Sequence, residues 1–117
     1  LDLGKRVPPM DEADLVEANK VHGCQSQVWL KSWISDDGEP RFRFIANSDA
    51  HIVNGLIAIL MVIHDDKPVS EVLDTNAAAI LKRMDLEEHL SPTRRNGLHA
   101  MVKRIRAAAS AAAEGVN

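Results

Sequence analysis

One cysteine is all the chain contains, and that scarcity excludes more than any motif in it does. Cys24 alone cannot form an internal disulfide, which agrees with a reducing compartment. A structural zinc site takes four ligands, often paired cysteines, and iron–sulfur clusters take several thiolates, so no resident metal or cluster is expected. Long apolar runs are lacking as well. The longest, residues 56–63, falls far short of the ~20 residues that span a bilayer. No secretory leader is visible, and the expectation is a cytoplasmic protein that contacts no membrane. Positive charge is in deficit: 14 Lys and Arg stand against 17 Asp and Glu, for a net charge of −3. A general nucleic-acid binder needs a basic surface, so nucleic acid is not an expected partner. There is no internal repeat and no linker. The chain starts at Leu1 rather than Met, from which missing N-terminal residues are expected.

What is present is ordinary globular material. The 117 residues, 45% hydrophobic and 26% charged, suffice for one domain (residues 1–117) with its own core. "LDLGKRVPPMDEADL" reads as a helix ending at Leu3, then two prolines and a short acidic turn or helix over residues 11–18. "QVWLKSWI" puts Val28, Leu30 and Ile34 on one face and Trp29 and Trp33 on the other. "RFRFI" puts Phe42 and Phe44 on one face, and the turn chemistry of "DDGEP" between the two runs predicts an antiparallel hairpin. Ser48 is the expected N-cap of the next helix, with Asp49 in its first turn. Residues 52–63 are apolar nearly all round, which predicts a central buried helix. Pro68 precedes two short helices, residues 70–73 and 75–84. In the last helix Ser91 caps, Pro92 takes the first position, and Leu98, Met101, Val102 and Ile105 form an apolar stripe. Beyond Arg106 nothing is able to anchor "AAASAAAEGVN", so order is expected to about residue 106 and fraying over 107–117. The fold class expected is α+β, a small antiparallel sheet packed against helices.

Cys24 is the residue with chemistry to offer. Free cysteine is often only a small buried hydrophobe. Here Gly23 and Gln25 flank it, Ser26 and Gln27 follow, and no apolar periodicity includes it. It sits at a loop-to-strand boundary, where reactive groups are commonly displayed. His22, two residues away, could stabilise a thiolate, although a solvated loop histidine is the simpler reading. Nothing in the spacing pairs any of the five histidines with Cys24 as a hydrolase base. Arg94 stands on the apolar stripe of the last helix, so its guanidinium either snorkels or meets a partner. Gly97 in the same turn suggests close approach of another backbone. The basic residues Arg94, Arg95, Lys103, Arg104 and Arg106 read by default as a solvated helix face. A thiol that carries a group, a stand-alone small cysteine hydrolase, and a regulatory binding module with an incidental Cys24 all stay open at this point.

Three segments narrow the choice. "NKVHGCQSQVWL", "NSDAHIVNGLIAIL" and "LSPTRRNGLHAMVKRI" occur in this order and spacing, and together the chain resembles the SufE family of sulfur acceptors over about residues 3–105. CsdE-type members share the pattern, so the pathway stays open between the two. The resemblance implies a fold like that of the iron–sulfur scaffold IscU (the SufE/NifU fold) and an N-terminal helix longer than the one here. It implies a carrier that is not itself an enzyme. Such a carrier takes sulfur as a persulfide from a pyridoxal-phosphate cysteine desulfurase of the SufS or CsdA kind, stimulates that enzyme, and passes the sulfur to an iron–sulfur scaffold. The carrier has no cofactor of its own, since the pyridoxal phosphate belongs to the desulfurase. A homodimer is left open. By this resemblance Cys24 is the persulfide-forming residue, with His22, Gly23, Gln25 and Ser26 around it. Arg94 and Asn96 match the element at the start of the last helix. The departures are His22 for a proline or acidic residue, Asn47 for Asp, Asp85 for a glycine and Arg95 for a small residue.

Overall fold

The computed structural model describes residues 8–24, 26–35, 38 and 40–114. The helix end expected at Leu3 lies outside them, as do most of the residues of the hairpin turn. Within that turn, Gly38 adopts φ +94°, a backbone conformation that glycine takes without strain.

The strands β1 (Val28–Ser35) and β2 (Arg41–Ser48) pair antiparallel over their whole lengths, with Leu30 opposite Ala46 and Ile34 opposite Phe42. The two-residue period puts Val28, Leu30, Phe42, Phe44 and Ala46 on one buried face. The other face carries Trp33, which is stacked under the Arg43 guanidinium at 5.7 Å. Asp65 completes that corner: its Oδ1 accepts from Arg43 Nε at 3.2 Å and from the Phe44 N–H at 3.0 Å.

Helix α1 (His51–His64) covers the inner face of the hairpin, then a two-residue strand β3 (Lys67–Pro68) pairs with the start of β2 to give the order β1-β2-β3. Two short helices, α2 (Val69–Asp74) and α3 (Ala77–Arg83), lead to the long α4 (Pro92–Ala113), which packs on α1 and α2. This is the expected α+β class, a small antiparallel sheet with helices. β3 carries no local signal in the sequence, since it exists only because β2 offers a free edge.

The acidic segment, expected as a turn or helix, forms two single 3₁₀ turns, Glu12–Asp14 and Glu17–Asn19, and neither has a residue to bury. Three details depart from the sequence expectations. Ser48 does not cap α1, since it is still paired with Val28 in the sheet. The junction is held by Asn54, whose amide bonds both the N–H and the carbonyl of Ser48 at 2.9 and 3.0 Å. Helix α1 is not buried all round. Val53, Leu56, Ile57, Leu60 and His64 face inward, while Ile52 and Val62 are 52% and 76% exposed. The helix does not stop at Arg106 but continues into the alanine tail. Alanine is the strongest helix former, and Ala109 continues the stripe of Leu98, Met101 and Ile105 into the core, so α4 runs on to Ala113.

At the end of α3 the departure at position 85 has a visible consequence. Asp85 takes φ +54°, its N–H bonds the Lys82 carbonyl at 3.0 Å, and the Leu86 N–H bonds Leu81 at 3.3 Å. This is the Schellman termination, with aspartate where glycine fits best.

Among the described residues, His64 is the one polar side chain in the buried set. Its Nδ1–H donates to the Leu60 carbonyl at 3.1 Å, which leaves Nε2 buried with no hydrogen-bond partner among the described residues. Desolvation holds its pKa below the usual histidine value, with the Leu60 hydrogen bond opposing and the Arg106 charge reinforcing that effect. The unfolded chain therefore takes up a proton at His64 before the folded chain does. The associated stability is fully present above pH ~6.5 and is lost as pH falls through the lowered folded value. Urea midpoints measured from pH 8 to pH 5 should fall more steeply for the wild type than for His64→Leu. Parallel curves would remove His64 from the account.

Candidate functional site

Residues 21–28 form a loop closed at its base. The Val21 N–H bonds the Val28 carbonyl at 2.8 Å, and Lys20 bridges to Trp29 at the edge of the sheet. The outgoing arm is tied by Asp49, whose Oδ1 accepts the Gln27 N–H at 3.1 Å. The sequence places Asp49 in a helix turn; the structure gives its carboxylate to the loop instead.

Cys24 lies near the tip, half-buried and directed at α4. Its thiol donates to the Gly97 carbonyl at 3.5 Å, a weak hydrogen bond from sulfur's proton. A Cβ placed on Gly97 would stand 3.5 Å from Sγ, an ordinary contact distance, so the thiol lies directly against this turn of the helix. The close approach that Gly97 suggested in the sequence is therefore Cys24 itself. Gly23, at φ +96°, is closer still: a Cβ there would stand a tight 3.2 Å from that of Ala100.

Beside the thiol opens a cavity of about 180 Å³. Its apolar wall is Val53 and Leu56 of α1 with Leu98 and Met101 of α4, and its polar side is Ser26, Ser91, Thr93 and Arg94. Ser91 caps α4 by accepting the Arg94 N–H at 3.3 Å, which fixes this rim. Partial burial pushes the Cys24 thiol pKa up, so at neutral pH the resting side chain is the protonated, poorly nucleophilic form.

The structure brings together Cys24, Gly23, Ser26 and Arg94 from the residues singled out in the sequence. His22 stands apart, exposed, with Nε2 3.6 Å from Glu17 Oε2. Asn96 is exposed on α4 and does not line the cavity. Gln25 lies outside the described residues. The residue missed in the sequence is Arg104, read there as part of a solvated face. Its guanidinium donates to the carbonyls of Lys20 at 3.0 Å and Ala18 at 3.2 Å, on the inbound arm of the loop. The only sequence signal for it is its place on one helix stripe with Gly97 and Ala100. Among the described residues no three His, Cys, Asp or Glu side chains are placed to hold a metal ion, and no helix is long and apolar enough to cross a membrane.

Residues 1–109 match the family model described as SufE, the Fe-S metabolism associated domain. An "uncharacterized SufE-like protein" of Rhizobium meliloti is 44% identical over 110 residues, covering 93% of this chain and 79% of the relative. A second, of Rhizobium etli, is 47% identical over 107 residues, covering 91% and 72%. In fold, the chain is similar to the solution structure of a hypothetical protein from Thermus thermophilus. That match has a TM-score of 0.77 at 24% identity and covers 97% of this chain and 81% of the other.

Proposed function

The chain belongs to the SufE family, the Fe-S metabolism associated domain, and from that membership we propose that it is a sulfur acceptor that carries one sulfur atom on Cys24. The observation that supports this most is the setting of the chain's sole thiol: half-buried, protonated at rest, on a loop beside a cavity with an apolar wall.

The chemistry this site would perform needs no resident base or metal. The donor is a cysteine desulfurase bearing a persulfide, Enz–S–S⁻, on its active-site cysteine. The Cys24 thiol gives up its proton, to solvent or to a group of the partner, once it leaves the desolvating cavity wall. The thiolate then attacks the terminal sulfur. A new S–S bond forms on Cys24, the donor's S–S bond breaks, and the desulfurase leaves as its own thiolate. Nothing is oxidised or reduced overall. Draining the persulfide from the desulfurase is how the carrier stimulates it, and an iron–sulfur scaffold is the downstream recipient. The carrier takes no cofactor, acts as an accessory protein rather than an enzyme, and works in the cytoplasm.

A cysteine hydrolase would need an imidazole on the thiol. The hydrogen-bond partner of Sγ in the structure is a carbonyl oxygen, and His22 faces Glu17. Incubated with a cysteine desulfurase and L-cysteine, the intact protein should gain about 32 Da, one sulfur atom, and lose it with dithiothreitol. Turnover of a small acyl thioester by the protein alone, with no mass gained from the desulfurase, would select the hydrolase.

A further inference from the structure

The inbound arm of the Cys24 loop lies antiparallel along a single stripe of α4. Cys24 rests over Gly97, Gly23 over Ala100, and the carbonyls of Lys20 and Ala18 over Arg104. Positions 97, 100 and 104 are separated by three and four residues, so they share one helix face. The three contacts differ in strength. The thiol's bond to a carbonyl is weak, and Gly23 on Ala100 is a contact between small groups. At Arg104 a charged guanidinium holds two carbonyls, the stronger class of hydrogen bond.

On the opposite side of the same arm, the Lys20–Trp29 bridge and the Val21–Val28 bond hold it to the sheet. The arm is therefore pinned from helix and sheet at residues 18–21, and lightly held from 22 to 24. We infer that Arg104 is a positioning residue for sulfur transfer. It fixes the pivot at Val21, so that the tip bearing Cys24 swings as a short arm instead of peeling away together with residues 18–20. The fork geometry is what this requires, because one guanidinium spans two carbonyls two residues apart, whereas an ammonium is a single point charge. This role rests on the sulfur-acceptor reading for its purpose, but the pin itself is a property of the isolated chain.

The test uses the whole chain with Arg104→Leu and Arg104→Lys. Iodoacetamide alkylation of Cys24 and amide exchange of residues 18–28 are followed beside the urea midpoint. Loss of the fork should speed alkylation about tenfold in the leucine variant, the scale of a lost charge-assisted pair. Exchange at residues 18–21 should rise to meet that of the tip, and exchange in α1 should stay as it was. Lysine should fall between wild type and leucine. Unchanged alkylation in Arg104→Leu would overturn the inference. So would an acceleration that spreads evenly to α1 and tracks a lowered urea midpoint, or a lysine variant indistinguishable from wild type. Sulfur loading by a cysteine desulfurase, measured on the same samples, separates the two claims. If the pin behaves as described but neither wild type nor variant gains sulfur, the acceptor reading fails while the pin stands.

Discussion

Replacing Cys24 by serine is expected to abolish sulfur uptake completely while leaving the fold nearly untouched. The side chain is only half-buried, and a serine hydroxyl can donate to the Gly97 carbonyl as the thiol does. The change removes one polarisable atom from the cavity wall and creates no unpaired donor, so the stability cost should be about 1 kcal/mol or less. The chemical cost is total. Serine cannot form a persulfide, and no second thiol in the chain can stand in. Intact mass spectrometry after incubation with a cysteine desulfurase and cysteine should show no sulfur on the variant. Stimulation of the desulfurase should fall to its basal rate, with circular dichroism and the urea midpoint close to wild type. Full stimulation by Cys24→Ser would defeat the carrier mechanism and leave a binding module that activates by contact.

The second large effect is expected at Gly97. Valine there extends methyl groups past the Cβ position that already stands 3.5 Å from Sγ and 3.8 Å from the Cys24 Cβ. The buried helix face cannot yield, since Leu98 and Met101 beside it are core residues. The lighter part must move, and that is the loop tip. Gly97→Val should cost about 1–3 kcal/mol by overpacking. It should also eject the thiol from the helix, with two results in the isolated protein. Alkylation should speed at least tenfold, and its pH midpoint should drop from the burial-raised value toward the ordinary thiol value of about 8.5. Gly97→Ala is the control. Its Cβ makes ordinary contact with Cys24, so the thiol stays in place, and the helix gains up to about 1 kcal/mol. Wild-type alkylation and an unmoved pH midpoint in Gly97→Val would show that the thiol does not rest on this turn.

Much of the architecture was legible in the residues because it is encoded between near neighbours. Alternation in "QVWLKSWI" and "RFRFI" with a turn between them specifies a hairpin and its inward face by side-chain period, while the register that sets Leu30 opposite Ala46 is read from the structure. Ser91 and Pro92 start α4 through local backbone chemistry, and Ser91 is the cap found there. That Cys24 is the only thiol, and that its surroundings resemble a known family, needed no coordinates. What the tertiary structure decided lies between residues far apart in the chain. β3 is a strand only because β2 has an edge to offer at Arg41 and Phe42. Ala109 is buried because α4 continues into the core packed by distant elements, with α2 among those lying against α4. The half-burial of Cys24, which raises its pKa, comes from the packing of its loop on α4, where Sγ meets Gly97, 73 residues on, and Arg104 reaches Lys20 and Ala18 across 84 and 86 residues. A helix stripe in the sequence shows which side chains share a face. It does not show which distant segment will lie along that face, because that is settled by the packing of the whole core.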